Sequence, residues 1–306
     1  MPATTAAPKT AKTAKTFTWR PSRLVVGLFV IAAAGLATWY AVWQHVRPHV
    51  LSGPEYQLAP QDIQITPPPE WIKADIRAEV FRDAGFDGPL SLLDEGLSLH
   101  IAQAFRVHPW VAAVERVTKR HPAGMLVELV YRRPVCMVQV EDGVLPVDEV
   151  GVLLPSDDFT KSQARAYPLL LGVKSLPVGP AGTRWGDASA SGGAKLATLL
   201  SADWQRLRLA RIVASDKPAL SDERSEIHYE LATRAGTAIL WGPAPAGGDK
   251  ADKVAADKLV WLRDYANEHG SLDGADGPQE IDLRDIRRAE ARRRTAIRSL
   301  PAEDRE

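Results

Sequence analysis

The chain has 306 residues, enough for one or two folded domains besides any anchor, and its 45% hydrophobic and 25% charged residues are ordinary for a folded protein. Formal net charge is zero, which removes the simplest electrostatic case for nucleic-acid binding. The single cysteine, Cys136, excludes a scaffold held by internal disulfides.

The charge is uneven along the chain. Residues 1–23 carry Lys9, Lys12, Lys15, Arg20 and Arg23 and no acid, leaving 33 basic and 38 acidic side chains in the rest. Residues 1–16 are low-complexity Ala/Thr/Lys/Pro and are expected to be disordered, the start of a cytoplasmic basic tail over 1–23. Between Arg23 and Arg47 lie 23 residues without a Lys, Arg, Asp or Glu. As a helix they rise roughly 35 Å, slightly more than a hydrocarbon core. Trp19 flanks one end and Trp39, Tyr40 and Trp43 the other, as interfacial aromatic belts do. Residues 24–46 are therefore expected to cross a lipid bilayer once, with the basic tail inside and residues 47–306 outside the cytoplasm. A cleaved signal peptide ending near Ala32-Ala33-Ala34 is the competing reading. The apolar run continues well past Ala34, longer than a signal requires.

Residues 47–57, with Pro48, Gly53 and Pro54, read as a linker. Ile63–Thr66 alternates as a strand and stops at Pro67-Pro68-Pro69. Glu70 to Ala84 reads as a helix, with Trp71, Ile72, Ile76, Val80 and Phe81 largely on one face, and Leu97 to Phe105 as a second. Val111–Val117 and Met125–Tyr131 are strand candidates, separated by a turn at His121-Pro122-Ala123-Gly124. Residues 58–133 thus predict strand–helix–helix–strand–strand, with the helices covering one face of a small sheet. From 134 the texture changes to short strands and turns: Val135–Val140, Leu145–Val147, Val152–Leu154 and Leu169–Leu171. A helix is expected over Gly192–Leu207, then strands over Leu209–Ala214, Ser225–Leu231 and Thr237–Trp241. Lys250–Glu268 is a helix with Val254, Leu259, Leu262 and Tyr265 as its apolar stripe, and Glu280–Arg284 is a last short strand. The fold class is α+β, and residues 286–306 form a charged tail.

No GxSxG, Walker loop, HExxH or zinc-spaced cysteine pair is present, so no catalytic, cofactor-binding or metal-binding residue is assigned and no small-molecule substrate is expected. Cys136 lies in an apolar run and reads as a buried small hydrophobe. His100, His108 and His121 share no metal-ligand spacing. Asp157-Asp158 and Asp216/Asp222 read as solvated loop charge. The run Arg284, Arg287, Arg288, Arg292, Arg293, Arg294 and Arg298 is interspersed with acids and reads as a solvated surface, with anionic lipid as the alternative.

The motifs from Ala104-Phe105 and His108-Pro109-Trp110-Val111 through Tyr131-Arg132-Arg133-Pro134-Val135 resemble the POTRA domain of the bacterial cell-division family FtsQ/DivIB. Val147-Asp148, Gly151-Val152-Leu153-Leu154-Pro155 and Tyr167-Pro168-Leu169-Leu170-Leu171-Gly172 are similar to the start of that family's β domain. Trp241-Gly242, Lys250 to Leu262 and Ile281-Asp282-Leu283-Arg284 are similar to its end. The ordered set spans about residues 56–285. The resemblance implies a POTRA module over 58–133 and an FtsQ-type β domain over 134–285. It implies a non-enzymatic inner-membrane scaffold at the division site that binds small bitopic partners of the FtsB and FtsL kind. Residues 280–286 (Glu280, Ile281, Asp282, Leu283, Arg284, Asp285 and Ile286) correspond to the family's partner-binding strand. An edge strand there offers main-chain groups to a partner, with Leu283 and Arg284 adding selectivity and Arg284 able to fork onto an acidic residue. The alternative for Ile281 and Leu283 is closure of the β domain's own core. The family pattern continues with an aromatic residue as a strand, whereas Asp285 and the helix-prone Ile286–Arg293 follow here. Two other readings stay open: a POTRA-bearing protein of envelope assembly or secretion, and a membrane-anchored envelope enzyme. The first generally carries a long β-barrel, for which residues 134–306 are too short and too charged.

Overall fold

The apolar run becomes one long helix, α1 (Arg23–Leu51), in the computed structural model of the chain. The structure describes residues 23–51, 53, 56–86, 88–215, 227–245, 247–274 and 277–289. The basic tail before Arg23, with Trp19, and the arginines beyond 289 lie outside the described residues. Within α1 the 24 residues Arg23–Val46 have mean hydropathy 2.1 and none of the span is buried, the length and composition of a membrane span or a signal sequence. The helix runs on past the expected linker start at residue 47 and past Pro48 to Leu51. Propagating an established helix costs far less than starting one, and this offsets the donor that proline removes.

The chain divides into residues 1–56 and 57–306. In the second unit, β1 (Gln57–Leu58), β2 (Ile63–Ile65), α2 (Ile76–Asp83), β3 (Leu90–Ser91), α3 (Leu97–Val107), β4 (Val111–Arg120) and β5 (Gly124–Tyr131) come first. β2, β5 and β4 form a three-stranded sheet in that order, β2 parallel and β4 antiparallel to β5. β1 and β3, unforeseen in the sequence, pair as a two-residue ribbon. Helix α2 begins at Ile76 rather than Glu70, because the Asp75 side chain accepts the Ala78 N–H (3.1 Å) and so caps the helix there. Ile76, Val80 and Phe81 of α2 and Leu97, Ile101 and Phe105 of α3 close a core against Ile63, Met125, Val127 and Leu129 of the sheet. The four-residue steps Ile76–Val80 and Leu97–Ile101–Phe105 on the helices, and the steps of two on β5, aim them at one another.

Next come β6 (Pro134–Val140), β7 (Gly143–Asp148), α4 (Lys161–Ala164), β8 (Leu169–Leu171), α5 (Ala188–Leu200), β9 (Leu209–Ser215), β10 (His228–Thr233), β11 (Ala238–Pro243), α6 (Asp249–His269) and β12 (Glu280–Asp282). The strands make one mixed sheet in the order β12-β11-β10-β9-β8-β6-β7. Residues 225 and 226 of the expected strand before β10 lie outside the described residues. One sheet face, with Cys136, Val138, Leu170, Ile212, Leu231, Ile239, Trp241 and Ile281, is buried against Leu196 and Leu200 of α5 and Leu259 and Leu262 of α6. Each large side chain fully buried there contributes roughly 2–3 kcal/mol. Helix α5 starts at Ala188, four residues before expectation, because Asp187 accepts the Ser189 N–H (2.7 Å), and it ends at Leu200. A Cβ on Gly193 would lie 2.5 Å from the Leu170 side chain, so only glycine lets α5 rest this closely on β8.

The two sheets share buried contacts. The Asp158 carboxylate accepts from the Trp110 indole N–H (2.6 Å) and the Lys73 backbone N–H (3.3 Å), and Trp71 donates to the Arg132 carbonyl (3.2 Å). Leu154 joins the core of the smaller sheet. Asp158 is therefore not solvated loop charge: it is 8% exposed and joins three segments. The expected strand Val152–Leu154 survives only as isolated bridges, Val147 to Leu153 and Val152 to Arg184.

The candidate partner-binding edge

The seven-stranded sheet has two ends, and the sequence treats them differently. At the β7 end, Val152–Leu154 folds back along the outer side of the strand. Asp148 N–H donates to the Val152 carbonyl (3.0 Å) and Leu154 N–H to the Pro146 carbonyl (2.9 Å). Gly151, at φ +78°, makes the reversal that returns the chain, a conformation disfavoured for any residue with a Cβ. The Asp148 side chain, 4% exposed, fixes the turn by accepting the Val150 and Val152 N–H groups (3.0 and 2.8 Å) and by pairing with Arg132 (2.7 Å).

At the other end, β12 runs parallel to β11 in the register Ala238–Glu280, Ile239–Ile281 and Leu240–Asp282. Among the described residues no strand lies on its outer side. Ala238 N–H donates to the Gln279 carbonyl and Leu283 N–H to the Leu240 carbonyl, both 2.9 Å. Main-chain groups of successive strand residues point to opposite sides, so Gln279, Ile281 and Leu283 face β11 while Glu280 and Asp282 direct theirs outward. The side chains sort differently. Ile281 (7% exposed) and Leu283 (0%) belong to the sheet's own core, Glu280, Arg284 and Asp285 are exposed, and Asp282 and Ile286 are half-buried. Leu283 therefore has no side-chain surface to offer. The Arg284 guanidinium is already forked onto Asp282 within the chain, Nε to Oδ1 at 2.9 Å and Nη2 to Oδ2 at 2.8 Å, and these bonds hold its pKa above the usual range.

The strand ends at Asp282. The Asp285 carboxylate accepts the Arg287 and Arg288 N–H groups (3.1 and 3.4 Å), and residues 286–289 turn helical. The helix propensity after the motif thus wins over strand continuation, with Asp285 as its cap. Ile286 and Ala289 fold back onto the core.

Beneath this edge lies a residue the sequence reading missed. Lys258 of α6 is 4% exposed, donates from Nζ to the Trp241 carbonyl (2.6 Å) and stands 5.3 Å from the centre of the Trp241 ring. Burial pulls its pKa down to about 8, against the opposing influence of the Asp282 carboxylate. Its signal in the sequence was its place between Val254 and Leu262 on the apolar stripe of α6, where a lysine has to bury its stem.

The other candidates for chemistry are scattered. Cys136 is fully buried, and burial raises its thiol pKa far above the ordinary range. His108 is buried with Nε2 3.1 Å from Glu79, and its Nδ1 accepts the Trp110 N–H (3.3 Å), a packing role at the end of α3. Asp216 and Asp222 lie outside the described residues, and among the described residues no group of three or more His, Cys, Asp or Glu side chains is placed to hold a metal. No protein-family model matches this chain, and no curated protein matches it significantly.

Proposed function

We propose that this chain is a single-pass membrane scaffold of the FtsQ/DivIB kind. In this reading α1 crosses the inner membrane with the basic tail in the cytoplasm. Residues 57–306 stand outside as a POTRA module followed by an FtsQ-type β domain, and small bitopic division proteins of the FtsB and FtsL kind add a strand to β12. The observation that carries the binding site is the asymmetry of the seven-stranded sheet, whose β7 edge is overlaid by the chain itself while no strand among the described residues lies outside β12. An uncovered edge is a template for another strand. Affinity comes mainly from the backbone, since Ile281 and Leu283 point into the core.

Glu280→Pro tests this. Glu280 is exposed and opens the strand, and its N–H faces outward, so proline removes a donor a partner needs and leaves the bonds to β11 in place. Full-length protein and variant, purified from native membranes under mild detergent, are compared by mass spectrometry of captured proteins and by circular dichroism. The expected outcome is small bitopic coiled-coil proteins captured by the parent and lost in an equally folded variant. Equal capture by both overturns the β12 site. Capture of no division protein by either overturns the scaffold.

A further inference from the structure

Outside α1, the three most exposed large apolar side chains among the described residues are Val107 (82%), Val178 (77%) and Leu176 (69%). They come from two distant stretches that the fold brings together. Val107 ends α3, two residues before Pro109, and a Cβ on Gly182 of the Leu176 loop would lie 3.2 Å from the Pro109 Cα. The loop is stiff. Gly182 N–H donates to the Leu153 carbonyl (2.8 Å), Trp185 N–H to Gly151 (2.8 Å) and Val178 N–H to Trp185 (3.2 Å). The buried Trp185 indole bonds the Ser175 carbonyl (3.2 Å), and Ser175 Oγ bonds Asp187 (2.6 Å). A tip held this firmly presents Leu176-Pro177-Val178 to solvent at no further ordering cost on binding.

The surrounding charge points to the occupant. From Phe159 to Gly186 the chain carries Lys161, Arg165, Lys174 and Arg184 and no acidic residue, and Arg106 precedes Val107. Arg184 and Arg106 are exposed, and the nearest acids are Asp187, already held by Ser175 and Ser189, and Asp83, which lines the same hollow as Val107. Apolar tips flanked by basic side chains match a bilayer surface with anionic headgroups, where buried apolar area and electrostatic attraction act together. We infer that the Leu176-Pro177-Val178 loop, with Val107 beside it, is a second lipid contact that dips into the headgroup layer of an anionic membrane. The inference rests on the membrane reading of α1 for the nearness of a bilayer and does not involve β12.

The test places an environment-sensitive fluorophore at Val178→Cys in the full-length protein, one copy per lipid nanodisc, with Val254→Cys on α6 as the reference. Cys136 is buried and stays unlabelled. Discs contain phosphatidylcholine alone or with phosphatidylglycerol, each with and without a lipid-borne quencher. The expected result is at least a roughly twofold greater quench at 178 than at 254 in the anionic discs, reduced in phosphatidylcholine and by added salt. Equal quenching in both lipids overturns the anionic-surface assignment, and equal quenching at both positions overturns the loop as the contact. A spectral change at 178 that needs discs holding two copies and is indifferent to the lipid-borne quencher overturns the lipid contact and makes the patch an interface between chains. A chain that enters no disc overturns the spanning reading of α1 and this inference with it. A chain that enters but shows no quench at 178 overturns this inference alone.

Discussion

The two ends of the seven-stranded sheet solve the edge problem in opposite ways. At β7 a buried carboxylate, Asp148, ties down a return segment that occupies the outer side of the strand and is itself neutralised by Arg132. At β12 the strand stops after three residues and the chain leaves as a helix capped by Asp285. A buried lysine below it is anchored on a carbonyl. Edges that natural proteins leave uncovered are kept short or charged, and β12 is both, with Glu280 and Asp282 in it and Arg284 just after it. The contrast teaches that strand patterning alone does not locate a docking edge: the two terminal strands differ because of what the following residues do.

Breaking the closed end has the largest expected effect. Asp148→Ala strands the half-buried Arg132 guanidinium, whose Nε already has no partner, and frees two turn N–H groups. It should cost about 3 kcal/mol in denaturant unfolding. Because the return segment is released, the variant should also self-associate in sedimentation, as a second open edge would.

The buried cation sharpens the comparison next. Lys258 has a folded-state pKa of about 8 against 10.5 for the ordinary side chain, so between these values the unfolded chain binds more protons than the folded one. Stability therefore rises as pH climbs from about 8 towards 10, by up to ~2 kcal/mol from this group. Tyr131, whose pKa burial raises to about 12, acts in the opposite sense above pH 10. Lys258→Met should flatten the rise between pH 8 and 10, measured as the difference between wild-type and variant unfolding curves. An unchanged slope would mean that Lys258 is hydrated in solution.

The smallest effect is expected at the exit from β12. Asp285→Ala removes the cap on residues 286–289 and should cost about 1 kcal/mol. If the cap sets where β12 ends, the variant should also show faster amide exchange at Arg287 and Arg288, with Ile281 unchanged.

Much of this architecture was legible in the residues. The period of α3, of β5 and of α6 is carried by side chains that are largely buried together, with Val254 of the expected α6 stripe left exposed, and each element formed within a few residues of its expected bounds. At the starts of two helices a single polar side chain moved the boundary: Asp75 delayed α2 and Asp187 advanced α5, because a cap bond outweighs the weak propensity of neighbouring residues. The candidate strand was legible as a motif but not as an edge. Leu283, which reads as a surface determinant, is wholly buried, and Arg284 is engaged by Asp282 two residues away. Asp158 shows the same gap, for a loop acid next to another acid carries no sign of the indole and amide it meets 48 and 85 residues back.

By itself the sequence determined the long apolar helix, the α+β class, the order of nearly all the elements and the absence of the common catalytic motifs. These follow from local properties: hydropathy over one span, period along one face, spacing within one segment. Only the tertiary structure decided which strands became terminal, that Val152–Leu154 covers one of them, that Lys258 lies beneath the other, and that Pro109 lies against Gly182 of the Leu176 loop. Each of these depends on contacts between residues distant in the chain. Such pairings are set by the packing of the whole, and no local pattern encodes them.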